Sequence, residues 1–207
     1  MRTALIVDDH PFIRMAIKVL LEKEGFQVVA EADNGVDAVQ FARELAPSLI
    51  VMDLNIPRLD GLEAIKRLTD LQLPSKLVVL TEQAPEFYSE RCMRAGAMGY
   101  ISKTAELIEL RLAIQAVMLN KSFFPRLDGH VQGQGGAVSE PVLIDSLSNR
   151  ELSILRYIAR GMKNKDISEL MLLSDKTVST YKTRLIEKLN LKSVVALAEF
   201  AKRNQLI

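Results

Sequence analysis

The chain has 207 residues, of which 48% are hydrophobic and 26% charged, with 27 Lys plus Arg against 26 Asp plus Glu for a net charge of +1. These are globular values, so disorder is excluded, and the length accommodates two small domains. A single cysteine, Cys92, excludes a disulfide framework and a multi-cysteine metal site, and points to a reducing compartment with Cys92 as core filler.

Residues 1 to 120 alternate between two hydrophobic periods. Met1 to Val7 runs straight into Asp8 and Asp9 with no signal-peptide core, and no run approaches 18 apolar residues, so a soluble cytoplasmic protein is expected. Ala4 to Val7, Val28 to Ala30, Leu49 to Met52, Leu77 to Leu80 and Tyr100 to Ile101 are short and apolar, and read as buried strands. Helix-period segments lie between them. In Phe12 to Glu24, Ile13, Ala16, Ile17, Leu20 and Leu21 share one face, and Pro11 suits the first helical position. Five strands alternating with five helices predict an α/β fold: a doubly wound, five-stranded parallel sheet with helices on both faces.

From residue 121 to 145 the pattern breaks at Pro125, Gly129, the cluster Gly133, Gly135, Gly136, and Pro141. This stretch reads as a linker, mobile near Gln132 to Ala137, with Phe123 and Phe124 expected to pack back on the first domain. Residues 146 to 207 are helix-periodic only. Ser148 and Glu151 have the spacing of a capping box, and Gly161 ends the helix they open. A second helix fits Asn164 to Met171, capped by Asn164. Ser174 or Asp175 caps a third reaching about Leu189, and a fourth spans Val194 to Arg203. The expected second domain is therefore smaller, all-α and four-helical.

Chemistry in a doubly wound sheet gathers at the carboxyl ends of the strands. Asp8 and Asp9 follow the first strand, Asp53 the third, Thr81 ends the fourth and Lys103 follows the fifth. A single aspartate after a strand is commonly a turn or cap residue, but five polar groups at carboxyl ends are not explained by loop polarity. Converging carboxylates stay ionised together when a hard divalent cation joins them, and Mg²⁺ suits because it also keeps waters and a phosphoryl oxygen. Nucleophilic carboxylate, cation, hydroxyl and ammonium form a phosphoryl-transfer set.

LIVDDHP, VMDLNIPRLDG, VLT and GYISK, holding these residues, together resemble a two-component receiver domain. The resemblance implies that Asp53 is the phosphoacceptor, that Asp9, Asp8 and the Asn55 carbonyl hold Mg²⁺, that Thr81 and Lys103 bind phosphoryl oxygens, and that Tyr100 is the switch aromatic. Receivers commonly place a cis-joined proline after the lysine, where this chain has Thr104.

The segments Asn164 to Met171 and Asp175 to Leu189, with a turn at Leu172 to Ser174, have helix-turn-helix spacing. Val178, Tyr181, Leu185 and Leu189 face inward. Lys176, Thr177, Ser179, Thr180 and Thr183 lie in the polar, hydrogen-bonding part of the helix, with Lys182 and Arg184 on its flanks, an arrangement suited to base readout and phosphate contact. A solvated surface would look similar, but residues 146–207 carry 12 Lys plus Arg against 6 Asp plus Glu, and the rest of the chain 15 against 20. The near-neutral total thus conceals an acidic region and a basic one.

LSNREL, GMKNKDIS and LSDKTVSTYKTRLIEKLNLKS resemble the four-helix DNA-binding domain of the NarL/FixJ (LuxR-type) response regulators, with wording nearest the BvgA/EvgA branch. The resemblance implies a phosphorylation-switched transcription regulator rather than an enzyme. Its partners would be a histidine kinase or histidine phosphotransfer domain, paired DNA half-sites, a second copy through Val194, Leu197, Ala198 and Ala201, and RNA polymerase as a further allowed contact. The same apolar stripe would equally pack on the preceding helix. Two other readings are a DNA-binding regulator with no phosphoswitch, against which the complete polar set argues, and a Mg²⁺-dependent aspartyl-phosphate phosphohydrolase. The latter resembles the haloacid dehalogenase type, which has a second Asp where this chain has Asn55.

Overall fold

The computed structural model describes residues 2–125 and 140–207, and the chain divides into two compact units, residues 1–126 and 127–207.

The first unit runs β1 (Arg2–Val7), α1 (Pro11–Lys23), β2 (Phe26–Ala32), α2 (Gly35–Leu45), β3 (Leu49–Met52), α3 (Gly61–Asp70), β4 (Lys76–Thr81), α4 (Pro85–Ala95), β5 (Gly99–Ser102) and α5 (Leu107–Met118). All neighbouring strands are parallel, in the order β2-β1-β3-β4-β5. Four consecutive buried residues in β1 and all four of β3 mark strands covered on both faces, which is why they read as apolar runs without alternation. Ile17 and Leu21 of α1 and Leu110, Ala113, Ile114 and Val117 of α5 share one core with Ala4, Ile6, Leu49, Val51 and Val78.

Register sets the later chemistry. Val7 pairs with Ala32 and Met52, Met52 with Val79, and Thr81 with Ser102, so the carboxyl ends of the strands come out together. The ladder continues past them: the Asp8 N–H donates to the Ala32 carbonyl (3.0 Å), Asp53 to Val7 (2.9 Å) and Lys103 to Thr81 (2.8 Å). The side chains that follow the strands are thereby fixed by backbone pairing.

The second unit contains, among its described residues, α6 (Glu140–Asp145), α7 (Asn149–Ala159), α8 (Asn164–Met171), α9 (Asp175–Lys188) and α10 (Val194–Arg203). The Ser148 and Glu151 capping box closes in both directions: Ser148 N–H donates to Glu151 Oε2 (2.8 Å), and Glu151 N–H donates to Ser148 Oγ (3.3 Å). Lys188 Nζ also lies 2.8 Å from Glu151 Oε2, tying the end of α9 to the start of α7. Burial works to raise the Glu151 carboxyl, but the Lys188 and Ser148 hydrogen bonds outweigh it and hold it below its ordinary value. Gly161, at φ 78°, ends α7 in the left-handed region.

Several expectations change. The stretch read as a linker, 121–145, carries a helix at its far end, while at its near end Phe123 packs on the first unit as expected. Phe123 bridges to Gly99 beside β5, exchanging backbone hydrogen bonds with Met98 (2.9 Å) and Tyr100 (2.8 Å), because the exposed edge of β5 offers it donors and acceptors. Residues 140–145 form α6, where Ile144 is fully buried and Glu140 is held by Arg203 Nε (2.9 Å) and Asn204 Nδ2 (2.6 Å). The region expected to be mobile, Gln132 to Ala137, lies outside the described residues. Asn164 does not cap α8; it is the first helical residue, and the Lys163 N–H is satisfied by Asp166 Oδ2 (3.3 Å). The Lys103–Thr104 peptide is trans, as are all described peptides, and Ser102 Oγ lies 2.7 Å from Thr104 Oγ1 across that turn.

No helix among the described residues is long and apolar enough to cross a membrane. Cys92 is fully buried, and burial drives its thiol far up, which leaves it unreactive.

Candidate functional site

At the carboxyl edge of the sheet, Asp8 and Asp53 are 1% and 3% exposed, and Thr81 is fully buried. Two carboxylates so removed from water require a counter-charge. Lys103 supplies it: its Nζ lies 2.7 Å from Asp8 Oδ2 and 2.8 Å from Asp53 Oδ2. Burial alone would lower this ammonium, yet Asp53 and then Asp8 outweigh it and hold it above its ordinary value. The other oxygen of the phosphoacceptor candidate, Asp53 Oδ1, is buried without a hydrogen-bond partner among the described residues.

Asp9 stands at the rim, 35% exposed, with Oδ1 2.7 Å from His10 Nδ1. Burial raises its carboxyl above the ordinary value; His10 opposes the rise, while Asp8 and Asp53 add to it. His10 also donates its backbone N–H to Asp8 Oδ1 (2.9 Å), and Arg14 donates to the Asp8 carbonyl (2.6 Å). Ligand atoms of Asp8, Asp9 and His10 all fall within 4.8 Å of one another. Neither His10 nor Arg14 was among the expected site residues. The signal for His10 was its place in LIVDDHP, directly after both aspartates.

Asn55 is half-buried in the loop after β3. That loop is gripped by Gly61, the first residue of α3: a Cβ there would meet the Leu54 Cα and carbonyl oxygen at 2.5 Å. Only glycine allows the Asp60-capped start of α3 to lie so close behind Asp53. Thr81 Oγ1 accepts from the Gln83 N–H (3.4 Å). Tyr100, 2% exposed, donates its hydroxyl to the Gln83 carbonyl (2.7 Å), so Thr81 and Tyr100 both address the segment after β4.

In the second unit, α8 and α9 are joined by a turn in which Leu172 takes φ 52°. Ser174 caps α9 by accepting the Thr177 N–H (3.1 Å). Ser168 Oγ donates to Asp175 Oδ1 (2.5 Å) and Asn164 Nδ2 to Ser179 Oγ (3.0 Å), fixing the two helices against each other. Val178, Leu185 and Leu189 are buried and Tyr181 half-buried. Lys176, Ser179, Thr180, Thr183 and Arg184 are exposed, while Thr177 and Lys182 are partly covered, burial lowering the Lys182 ammonium. Arg184 lies over the Tyr181 ring, 5.9 Å from its centroid.

The stripe expected to pair two copies is split. Leu197 and Ala201 are fully buried within their own unit, because the face of α10 that carries them, with Phe200, supplies the core beside α7. Ala198 is half-buried, and the exposed apolar side chains of α10 are Val194 and Val195.

A model of the response regulator receiver domain matches residues 4–115, and one of the bacterial regulatory proteins of the luxR family matches residues 145–201. The virulence-factors transcription regulator BvgA of Bordetella pertussis is 51% identical over 203 residues, covering 98% of this chain and 97% of that protein. The DNA-binding transcriptional activator EvgA of Escherichia coli K12 is 38% identical over 204 residues and 98% of each chain. Among solved structures, the RcsB response regulator of Salmonella typhimurium has the same fold over 98% of each chain, with a TM-score of 0.74 and 24% identity. With an acidic sheet edge in one unit and a helix-turn-helix in the other, this chain belongs to the two-component response regulators that join a receiver to a LuxR-type DNA-binding domain.

Proposed function

We propose that Asp53 accepts a phosphoryl group from a phosphohistidine of a kinase or phosphotransfer domain, and that this cytoplasmic regulator then binds DNA half-sites as a dimer through α9. The observation that carries the reading is the buried Asp53, with one oxygen bridged to Asp8 by Lys103 and the other without a partner among the described residues. In the transfer, an Asp53 carboxylate oxygen forms the new O–P bond as the donor's N–P bond breaks, and the imidazole departs with that electron pair. Lys103 stands where charge develops on the phosphoryl oxygens. The Thr81 hydroxyl can donate to the same oxygens, drawing the segment that holds Gln83 and, through it, Tyr100.

A hard divalent cation fits this mouth, since Asp53 Oδ1 is an orphaned buried oxygen and the neighbouring donors are carboxylates. Asp8, Asp9, Asp53 and the Asn55 carbonyl would hold Mg²⁺. When bound it neutralises carboxylate and phosphoryl charge.

Asp53→Asn is expected to abolish labelling by acetyl phosphate and to remove the gain in operator affinity that labelling produces. Undiminished labelling of the variant would refute the assignment.

Readout by α9 has a structural basis in its hydroxyls. Thr180 and Thr183 donate to the carbonyls four residues back (3.0 and 3.3 Å), which leaves their lone pairs to accept from base amino groups, whereas Ser179 donates likewise (3.0 Å) and already accepts from Asn164. Thr180→Ala is therefore expected to weaken operator binding more than binding to random DNA. Lys182→Ala should weaken both alike and reduce the salt slope by about one. Salt titrations on both DNAs giving the reverse pattern would overturn the face assignment. For pairing of the DNA-binding units, Val194 and Ala198 remain the surface candidates on α10, with Val195 beside them.

A further inference from the structure

We propose that Ser102 is a positioning residue for phosphoryl transfer: with Thr104 it locks the turn that delivers the Lys103 ammonium to Asp53. This role presupposes Asp53 as the phosphoacceptor and Lys103 as the cation that meets the phosphoryl oxygens, and it names what sets the place of that cation.

The sheet fixes Lys103 on one side only. Ser102 pairs with Thr81 at the end of β5, and the Lys103 N–H donates to the Thr81 carbonyl (2.8 Å). Beyond Lys103 the chain leaves the sheet and reverses. The Ala105 N–H donates to the Ser102 carbonyl (3.0 Å), which makes Lys103 and Thr104 the two central residues of a four-residue turn. Thr104 brings a backbone N–H into that turn, a donor that a proline at the same position would lack. Ser102 Oγ accepts it (3.2 Å) and also lies 2.7 Å from Thr104 Oγ1. Ser102 thus closes the turn three times: its carbonyl holds Ala105, and its hydroxyl holds both the backbone and the side chain of Thr104.

Packing does not hold the lysine from behind. A cavity of about 70 Å³ lies against the turn, walled in part by Ile17, Leu80, Ile101 and Leu110 together with Ser102 and Lys103. The lysine stem lacks partner atoms on that side, so it can shift if the turn opens. Little shift is tolerable. Lys103 Nζ stands 2.7 Å from Asp8 Oδ2 and 2.8 Å from Asp53 Oδ2, and a misplacement of about 1 Å at a reacting site can cost about 10²-fold in rate.

The test uses the full-length protein. Acetyl-phosphate labelling in saturating Mg²⁺ gives the rate, calorimetric Mg²⁺ titration gives the cation affinity, and amide hydrogen exchange reports the turn. Ser102→Ala should label roughly tenfold more slowly, bind Mg²⁺ no more weakly than wild type, and exchange the Thr104 amide faster. Thr104→Val keeps the N–H but loses the facing hydroxyl, and should slow labelling by less. Ser102→Thr, which retains a hydroxyl, should label at the wild-type rate. An unchanged rate in Ser102→Ala or Thr104→Val, a Mg²⁺ affinity that falls in parallel with the rate, or a Ser102→Thr protein as slow as Ser102→Ala would overturn the proposal. Labelling of Asp53→Asn at the wild-type rate would instead remove the reading on which it stands.

Discussion

Replacing Lys103 by Met is expected to destabilise the receiver by about 3 to 5 kcal/mol in the absence of divalent cations, the cost of removing one partner from a buried ion pair. The geometry makes the loss severe because one ammonium serves two carboxylates, Asp8 and Asp53, which are 1% and 3% exposed. Without it, both are left in a poorly solvated crevice, and one must take up a proton or recruit a cation from solution. Added Mg²⁺ should therefore recover part of the stability, in proportion to the logarithm of its concentration above the dissociation constant. Phosphoryl transfer should fall by about 10²- to 10³-fold, the usual cost of deleting a group aimed at developing negative charge. Calorimetry with and without Mg²⁺, with acetyl-phosphate labelling in parallel, tests both effects. A variant as stable as wild type in chelator would show that Lys103 is not the counter-ion the geometry makes it.

Phe200→Ala should have a comparable effect, confined to the second unit. Phe200 is 1% exposed and lies on the buried face of α10 with Leu197 and Ala201. Truncating a buried Phe to Ala costs about 3 to 5 kcal/mol. A unit of this size has about 3 to 10 kcal/mol in total, so the loss approaches its whole stability. The transition of the DNA-binding unit should drop by more than about 10 °C or vanish, abolishing operator binding, while acetyl phosphate still labels Asp53. Val195→Ala on the same helix, at a position 68% exposed, should leave both transitions in place. A single transition moving as one in Phe200→Ala would mean that the two units do not fold independently.

The sheet was readable because strands buried on both faces leave unbroken apolar runs, as in Leu49–Met52. The capping box at Ser148 and Glu151 was readable because its two hydrogen bonds are local in sequence. The return of Phe123 to the first unit was readable too, but its backbone pairing with Met98 and Tyr100 was not, because it depends on a sheet edge distant in the chain. The stripe of Val194, Leu197, Ala198 and Ala201 shows the same limit. Helical periodicity puts these residues near one face, but only the packing of α10 beside α7 decides that Leu197 and Ala201 belong to the unit's own core.

Residue types and spacing by themselves determined the two-unit organisation, the parallel α/β class of the first unit, and the five polar groups assembled at one sheet edge, since side-chain period and strand order are functions of local sequence. Tertiary structure decided how those groups divide their contacts. It set one ammonium between Asp8 and Asp53, left Asp53 Oδ1 without a partner among the described residues, and brought His10 against Asp8 and Asp9. The reason is physical. Which atom of a carboxylate meets which neighbour depends on strand register and on how little water reaches the crevice, and both arise only when segments about 50 residues apart in the chain are packed side by side.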